Sequence, residues 1–293
     1  MQFKLYGLLA ETSIHPGTGQ DAGFVDQPVA REATTDYPVI VGSAAKGALR
    51  DQFFWKHYVP PTDAELQGNE AEAKSKALAS TDKFTDPIFG KSDGAGDVLV
   101  SDIRLLLLPV RSLTTSYVWI TCSHLLERCY RDATRMGNNL QPIVLPALSD
   151  QQFLGSSSLP ATIYLEERQA ERIGDVPVDV VNLLKSFIPH SSTAARVDHQ
   201  LAVISDTHFA WYARYGLPIN ARNSLNRKTK ASKNLWYEET IPPDSLFYLL
   251  LAERRPAALN AVDKMLVESR YLQVGGNETV GQGWFAIQPV SIR

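Results

Sequence analysis

HPGTGQDAGFVDQPVAREATTDYPVIVGSAAKGALR, residues 15–50, decides how this chain folds. A glycine-studded loop carrying His15 and Asp26 gives way to a Pro-bounded apolar strand, and a helix opens at Ser43. The Ser43 hydroxyl suits an N-cap, and the helix is predicted over 43–58 with Phe53, Phe54 and Trp55 making its apolar contacts. Upstream, MQFKLYGLLAE alternates in polarity and reads as a first strand over residues 2–10. An acidic loop thus precedes a helix start whose free N–H groups, with Lys46 and Arg50 four residues apart on one face, attract phosphate. A carboxylate beside such a helix can hold a metal or handle a proton, so the segment suits a phosphodiester substrate.

Composition narrows the possibilities. At 293 residues and 44% hydrophobic content, the chain can bury a substantial core. Its 29 basic and 32 acidic residues give a net charge of −3, which argues against non-specific coating of nucleic acid but not against a local groove. The N-terminus lacks signal-peptide character, and LLLLPV near residue 105 is far too short for a bilayer. Cys122 and Cys129, seven residues apart on a predicted helix, lie about 10 Å apart and cannot bridge. A cytoplasmic protein with reduced thiols is expected.

Residues 60–97 differ in character: Pro60-Pro61, a Thr62-x-x-Glu65 capping box, a polar helix, then a Gly/Asp-rich loop, which reads as a surface insertion. DVLVSDIRLLLLPVRSL, 97–113, reads as one long buried strand; 117–121 is another, followed by a helix capped by Ser123 and ending at Gly137. The middle, 140–200, is weakly periodic, with a short strand near 162 and a helix over 178–187. A second round follows: strand 201–205, a helix capped by Ser205 or Asp206 and stopped at Gly216, a hairpin over 217–237, strand 245–251, and a helix from Pro256 to near Arg270. Two rounds of strand–helix–strand with antiparallel strands between them predict a duplicated α+β fold of ferredoxin-like type, with 1–293 as a single domain.

Several motifs bear on chemistry. GSAAKGALR lacks the leading glycine and the hydroxyl after Lys46 that a nucleotide-binding P-loop needs, so NTP hydrolysis is excluded. GGNETVGQG, 275–283, precedes a strand and not a helix, which is wrong for a dinucleotide fold. Its glycines let backbone amides approach a sugar–phosphate chain, with Thr279 and Gln282 as polar contacts; the alternative is a plain glycine-rich hairpin. Arg222, Arg227, Lys228, Lys230 and Lys233 fall in a stretch with no acid, either a path for a single-stranded backbone or a solvated tip. Directly after it LWYEET supplies Glu238 and Glu239, which in a strand face opposite sides, so only one of them can join Asp26. Taken singly, a loop aspartate such as Asp26 more often caps a turn, and a loop histidine before Pro-Gly such as His15 is more often structural, than either is catalytic.

Jointly, HPGTGQ…GFVDQPVARE…YPVIVGSAAKGALR, IFG…GAGDVLVSDIRLLLLPVRSL, LWYEETIPPDSLFY and GGNETVGQGWF resemble the RAMP superfamily. Within it they resemble the repeated backbone subunit of the type III-B CRISPR effector, the Cmr complex. The resemblance covers the whole chain and implies an RRM-like palm with a thumb hairpin. It also implies head-to-tail stacking along a guide (CRISPR) RNA beside other Cmr-complex subunits, with one cut in the paired target RNA per copy. It places Asp26 as the catalytic residue, which could either ligate a divalent ion, Mg or Mn, or act as the base. His15, Glu238 and Glu239 flank it as catalytic candidates. Lys46, Arg50, Arg111, Arg222, Arg227, Lys228, Gly275, Gly276, Thr279, Gly281 and Gly283 fall to RNA binding. Thr240 stands where some relatives carry an aromatic, so no phenolic proton carrier is implied there. The alternatives are a non-catalytic guide-binding subunit of the same kind of complex and a guide-processing endoribonuclease, which ordinarily centres on a histidine.

Overall fold

The computed structural model describes residues 1–19, 24–137 and 142–291. The first half runs β1 (Phe3–Ala10), β2 (Val39–Ile40), α1 (Gly42–His57), α2 (Asp63–Phe89), β3 (Gly90–Lys91), β4 (Gly94–Ala95), β5 (Val98–Val100), β6 (Ile103–Arg111), β7 (Tyr117–Cys122) and α3 (Ser123–Thr134). Next come β8 (Gln152–Gly155), β9 (Thr162–Leu165), β10 (Arg168–Gly174), α4 (Val178–Ser186), α5 (Ser191–Gln200), β11 (Leu201–Ile204) and α6 (Asp206–Tyr215). The chain closes with β12 (Ile219–Leu225), β13 (Ser232–Glu239), β14 (Leu246–Glu253), α7 (Ala258–Ser269), β15 (Tyr271–Gln273) and β16 (Trp284–Val290).

The central sheet has the order β16-β1-β14-β6, every pair antiparallel. With α1 and α7 as its crossovers, this is the fourth-first-third-second order of a ferredoxin-like βαββαβ unit. The mixed α+β fold expected from the sequence is therefore present, with the unit drawn from both ends of the chain. The sheet continues past β6 through β7, β11, β8, β10 and β9, and β7 and β11 run parallel. Helices cover both faces, so alternate strand residues feed two cores. Tyr6 and Leu8 of β1 join Leu49, Val262 and Phe285 on one side; Leu5 and Leu9 join Leu126, Leu184 and Phe187 on the other. That is why the strands read as unbroken apolar runs.

The run LLLL carries a local irregularity. Leu246 pairs with Leu107 and Phe247 with Leu105, leaving Leu106 as the extra residue of a β-bulge. Leu106 and Leu107 consequently both enter the second core, which strict alternation forbids. The predicted strand over 97–113 also divides, β5 pairing with the end of β14 before β6 begins. Two helix starts differ from expectation as well. Val41 is the N-cap of α1 and Ser43 lies inside the helix, because the carboxylate of Asp102 already accepts the Gly42 N–H at 2.7 Å. Cys122 holds the cap position of α3, one residue before Ser123. Ser205 does cap α6, accepting the His208 N–H at 3.0 Å.

Helix α2 spans most of the 60–97 segment. Glu65 accepts both the N–H and the hydroxyl of Thr62 at 2.7 Å, and the helix kinks at Asn69, whose backbone is non-helical. The 217–237 segment is a two-stranded ribbon, β12–β13, paired outside the main sheet.

Two glycines of similar sequence context should behave oppositely on replacement by alanine. A methyl at Gly7 of β1 would lie 1.9 Å from the Phe187 carbonyl oxygen, whereas one at Gly47 of α1 meets nothing within 4 Å. Gly7→Ala is expected to cost about 1–3 kcal/mol by overpacking. Gly47→Ala should gain up to about 1 kcal/mol from helix propensity. Urea unfolding midpoints measure both; equal shifts would contradict this packing.

Candidate active site

The base of the β12–β13 ribbon organises the site. One edge of β13 pairs with β12, and the other takes the loop after β1. Gln27 donates its N–H to the Tyr237 carbonyl at 3.1 Å, and Gln27 O accepts the Glu239 N–H at 3.0 Å. Asp26 adds a side-chain contact: its Oδ2 accepts the Tyr237 N–H at 2.7 Å. Its Oδ1 has no hydrogen-bond partner among the described residues, and the side chain is half-buried. Asp26 is therefore held by one oxygen and open at the other.

His15 anchors to the same strand. It is 7% exposed, and its Nδ1 lies 2.8 Å from the Glu239 carbonyl oxygen. A carbonyl only accepts, so Nδ1 carries the hydrogen and Nε2 of the neutral ring is the proton acceptor. A side-chain carbon at Gly17 would sit 2.8 Å from Nε2, so glycine there keeps that nitrogen approachable. The glycine-rich loop closes over the backbone of His15. Gly276 donates to His15 O at 2.9 Å and Gly283 to Ser13 O at 3.0 Å. Gly275 has φ +99°, and a methyl there would lie 2.8 Å from His15 O, so its lack of a side chain is required. Gly281 also has positive φ, and Thr279 is exposed in the turn between them.

Glu238 and Glu239 do face opposite sides, and both are buried and engaged. Glu239 accepts from Arg31 Nη2 at 2.6 Å and from the Val29 N–H at 3.0 Å, fixing the strand that follows Asp26. Glu238, 1% exposed, accepts from Asn277 Nδ2 at 2.6 Å, and Arg222 Nε stands 3.5 Å from its other oxygen. Buried carboxylates need such partners, since leaving one alone costs several kcal/mol, roughly 3–5. The side-chain contacts of both glutamates go to other groups than Asp26.

The cations divide likewise. Arg50 donates to Gly90 O at 2.6 Å and to Asp86 at 2.8 Å, tying α1 to the end of α2. Lys46, half-buried at the start of α1, has no ion pair among the described residues. Arg111 pairs with Glu166 at 2.8 Å on the rim of a hollow lined by Trp211 and Tyr215. Arg227, Lys228, Lys230 and Lys233 are exposed at or near the ribbon tip and form no ion pair among the described residues. Asn226 Oδ1 shapes that tip by accepting the Lys228 and Thr229 N–H groups at 2.9 and 3.2 Å. Sequence reasoning missed Arg31, Asp102 and Asn277, since their partners lie 208, 60 and 39 residues away and leave no local spacing to read.

No cluster of three or more potential metal ligands exists among the described residues. The donor set still fits a magnesium-type ion, which ordinarily takes one or two carboxylates and completes its shell with substrate phosphates and water. The open Oδ1 of Asp26 is the oxygen available for that purpose. Among the described residues, no helix is long and apolar enough to cross a membrane.

A ferredoxin-like sheet with a separate basic ribbon and a glycine loop over the site defines a class. The chain belongs to the RAMP superfamily, whose family model matches residues 8–286. It is 31% identical to the CRISPR system Cmr endoribonuclease Cmr4 of Pyrococcus furiosus, with 98% of this chain and 95% of that protein aligned. It is 24% identical to the CRISPR system CMR subunit Cmr4 of Saccharolobus solfataricus over 96% of this chain and 94% of that one. The crystal structure of oligomeric Cmr4 from P. furiosus superposes with a TM-score of 0.69 at 26% identity, covering 100% of this chain and 99% of that one. A type III-B Cmr-beta complex bound to cognate target RNA contains a chain of the same fold, TM-score 0.70 at 18% identity, over 99% of this chain and 97% of that one.

Because Arg50 holds Gly90 and Asp86, Arg50→Ala should loosen the end of α2. Limited proteolysis within 63–97 is expected to accelerate while the sheet stays resistant. An unchanged digestion pattern would show that the clamp is dispensable.

Proposed function

We propose that this chain is the backbone subunit of a type III-B CRISPR effector, lining up head-to-tail along a guide RNA and cutting the paired target RNA endonucleolytically. It works in the cytoplasm with further copies of itself and other Cmr-complex subunits. The observation that carries the reading is Asp26, pinned through one oxygen at the base of the basic ribbon and open at the other, in a chain similar end to end to Cmr4 proteins.

RNA supplies its own nucleophile, the 2′-hydroxyl. The protein has to hold one nucleotide in line, relieve that hydroxyl of its proton and offset charge on the phosphorane. The ribbon, with exposed Leu225, Leu235 and Tyr237 alternating along it, is built to splay a nucleotide out of the duplex. His15 Nε2 is the acceptor positioned for the proton, since Nδ1 is committed to Glu239 O. Asp26 Oδ1 holds either the hydroxyl's hydrogen or a divalent ion. A bound Mg or Mn would supply charge stabilisation at the phosphate and a lowered hydroxyl pKa. Attack of the 2′-oxygen on phosphorus breaks the bond to the 5′-oxygen, which takes a proton from water, leaving a 2′,3′-cyclic phosphate and a 5′-hydroxyl. Lys46 at the α1 start and the exposed Thr279 of the glycine loop face the guide backbone, the Gly276, Gly281 and Gly283 amides being engaged within the chain.

Asp26→Asn keeps a carbonyl oxygen for the Tyr237 N–H, so the fold should survive. In the assembled complex with target bound, cleavage is expected to fall by at least ~100-fold. Cutting at the parent rate would overturn the assignment of Asp26 as the catalytic residue. Lys46→Ala should instead weaken guide binding and reduce the salt slope of binding by about one unit, leaving residual cuts at the same positions.

A further inference from the structure

Among the charged residues at the base of the ribbon, Glu238 makes the contact that reaches across to the glycine loop. It is buried in β13, and three polar side chains from two other segments converge on it. Asn277, held in the left-handed region at φ 63°, donates to Glu238 Oε1 at 2.6 Å. Arg222 of β12 stands 3.5 Å from Oε2. The Gln282 amide accepts from Asn277 Nδ2 at 3.0 Å in one orientation, and in the other its nitrogen faces Glu238 Oε1 at 3.2 Å and its oxygen Arg222 Nη2 at 2.5 Å. Asn277 and Gln282 bracket the short 3₁₀ turn Glu278–Val280, so the tip of the glycine loop is tied to the ribbon at both ends. The peptide next to Glu238 is the one whose N–H, at Tyr237, holds Asp26.

We propose that Asn277, Gln282, Arg222 and Glu238 form a buried clamp through which the glycine loop sets the ribbon's position, and with it Asp26. Resting on the reading that this loop meets the guide and Asp26 meets the target, the clamp makes guide engagement a condition for a correctly placed carboxylate. Glu238 is then a positioning residue. Its charge is offset by Arg222, and both of its oxygens are engaged, so it has none left for a reacting hydroxyl. The geometry favours coupling over independent anchoring because the loop's other ties in this region run through main chain to Ser13 and His15, not to the ribbon.

The test has two arms. In the RNA-free chain, Asn277→Ala should raise amide hydrogen exchange across 219–239 while β1 and β14 remain protected. In the assembled complex with guide and target, Asn277→Ala and Glu238→Ala should each slow single-turnover cleavage about tenfold or more, with target affinity unchanged. Glu238→Gln, which keeps a carbonyl oxygen toward Asn277, should restore most of the rate lost in Glu238→Ala. Unchanged exchange in Asn277→Ala would overturn the clamp. So would a Glu238→Gln complex as inactive as Asp26→Asn, because that places Glu238 in the chemistry itself. The exchange arm needs no activity, so it stands or falls separately from the nuclease reading, which Asp26→Asn tests alone.

Discussion

The outer edge of β13 is the constraint on which the site depends. A strand with a free edge presents unpaired N–H and C=O groups that must be satisfied or exposed to water. Here Asp26, Gln27 and the ring of His15 satisfy them. The long loop after β1 thereby acquires a fixed position without forming a full strand of its own. Closing so long a loop costs little more entropy than closing a shorter one, because the cost grows only logarithmically with length. Four backbone-directed contacts, each worth ~1 kcal/mol net, hold it against β13.

Burial explains why the acidic residues of this region differ in role despite adjacent numbers. Glu239 faces inward to Arg31 and the Val29 N–H, and removing either partner would strand a charge in the core. Glu238 faces the glycine loop and Arg222. Asp26 is half-buried, and its second oxygen has no hydrogen-bond partner among the described residues. A carboxylate proposed to meet substrate has to keep an uncommitted oxygen until substrate arrives, and of the three Asp26 fits that requirement.

Much of the fold was legible because it rests on local pattern. The alternation of β1, the apolar length of β14 and the glycine stop after α6 are all consequences of period and cap chemistry. The bulge at Leu106 was not legible: four consecutive leucines carry no sign of which one drops out of register. Ser43 illustrates a different failure. Its hydroxyl suits a cap, but Asp102, nearly sixty residues later, reaches the Gly42 N–H first. The site divides the same way. Asp26 and His15 stood out through their loop and the family likeness, whereas the engagement of Arg50 with α2 and of Glu238 with Asn277 depends on tertiary neighbours that spacing cannot reveal.

The acidic net charge ceases to conflict with an RNA-directed surface once the charges are located. The exposed helix α2 neutralises much of its own acid through Glu70–Lys74 and Glu72–Lys76 pairs, and Arg50 offsets Asp86. The cations of the ribbon tip have no such partners among the described residues. At physiological ionic strength fields decay over ~8 Å, so a phosphate near Arg227 or Lys228 responds to those groups and hardly at all to acids elsewhere on the molecule. What matters for a polyanion is therefore the local balance along its path. Asp102 at the α1 start adds a negative charge near Lys46, which makes that start less attractive to phosphate than an open helix terminus. Under the proposed stacking, a weak contact repeated along a guide is compatible with firm overall binding, because affinities multiply across copies while each single contact remains reversible.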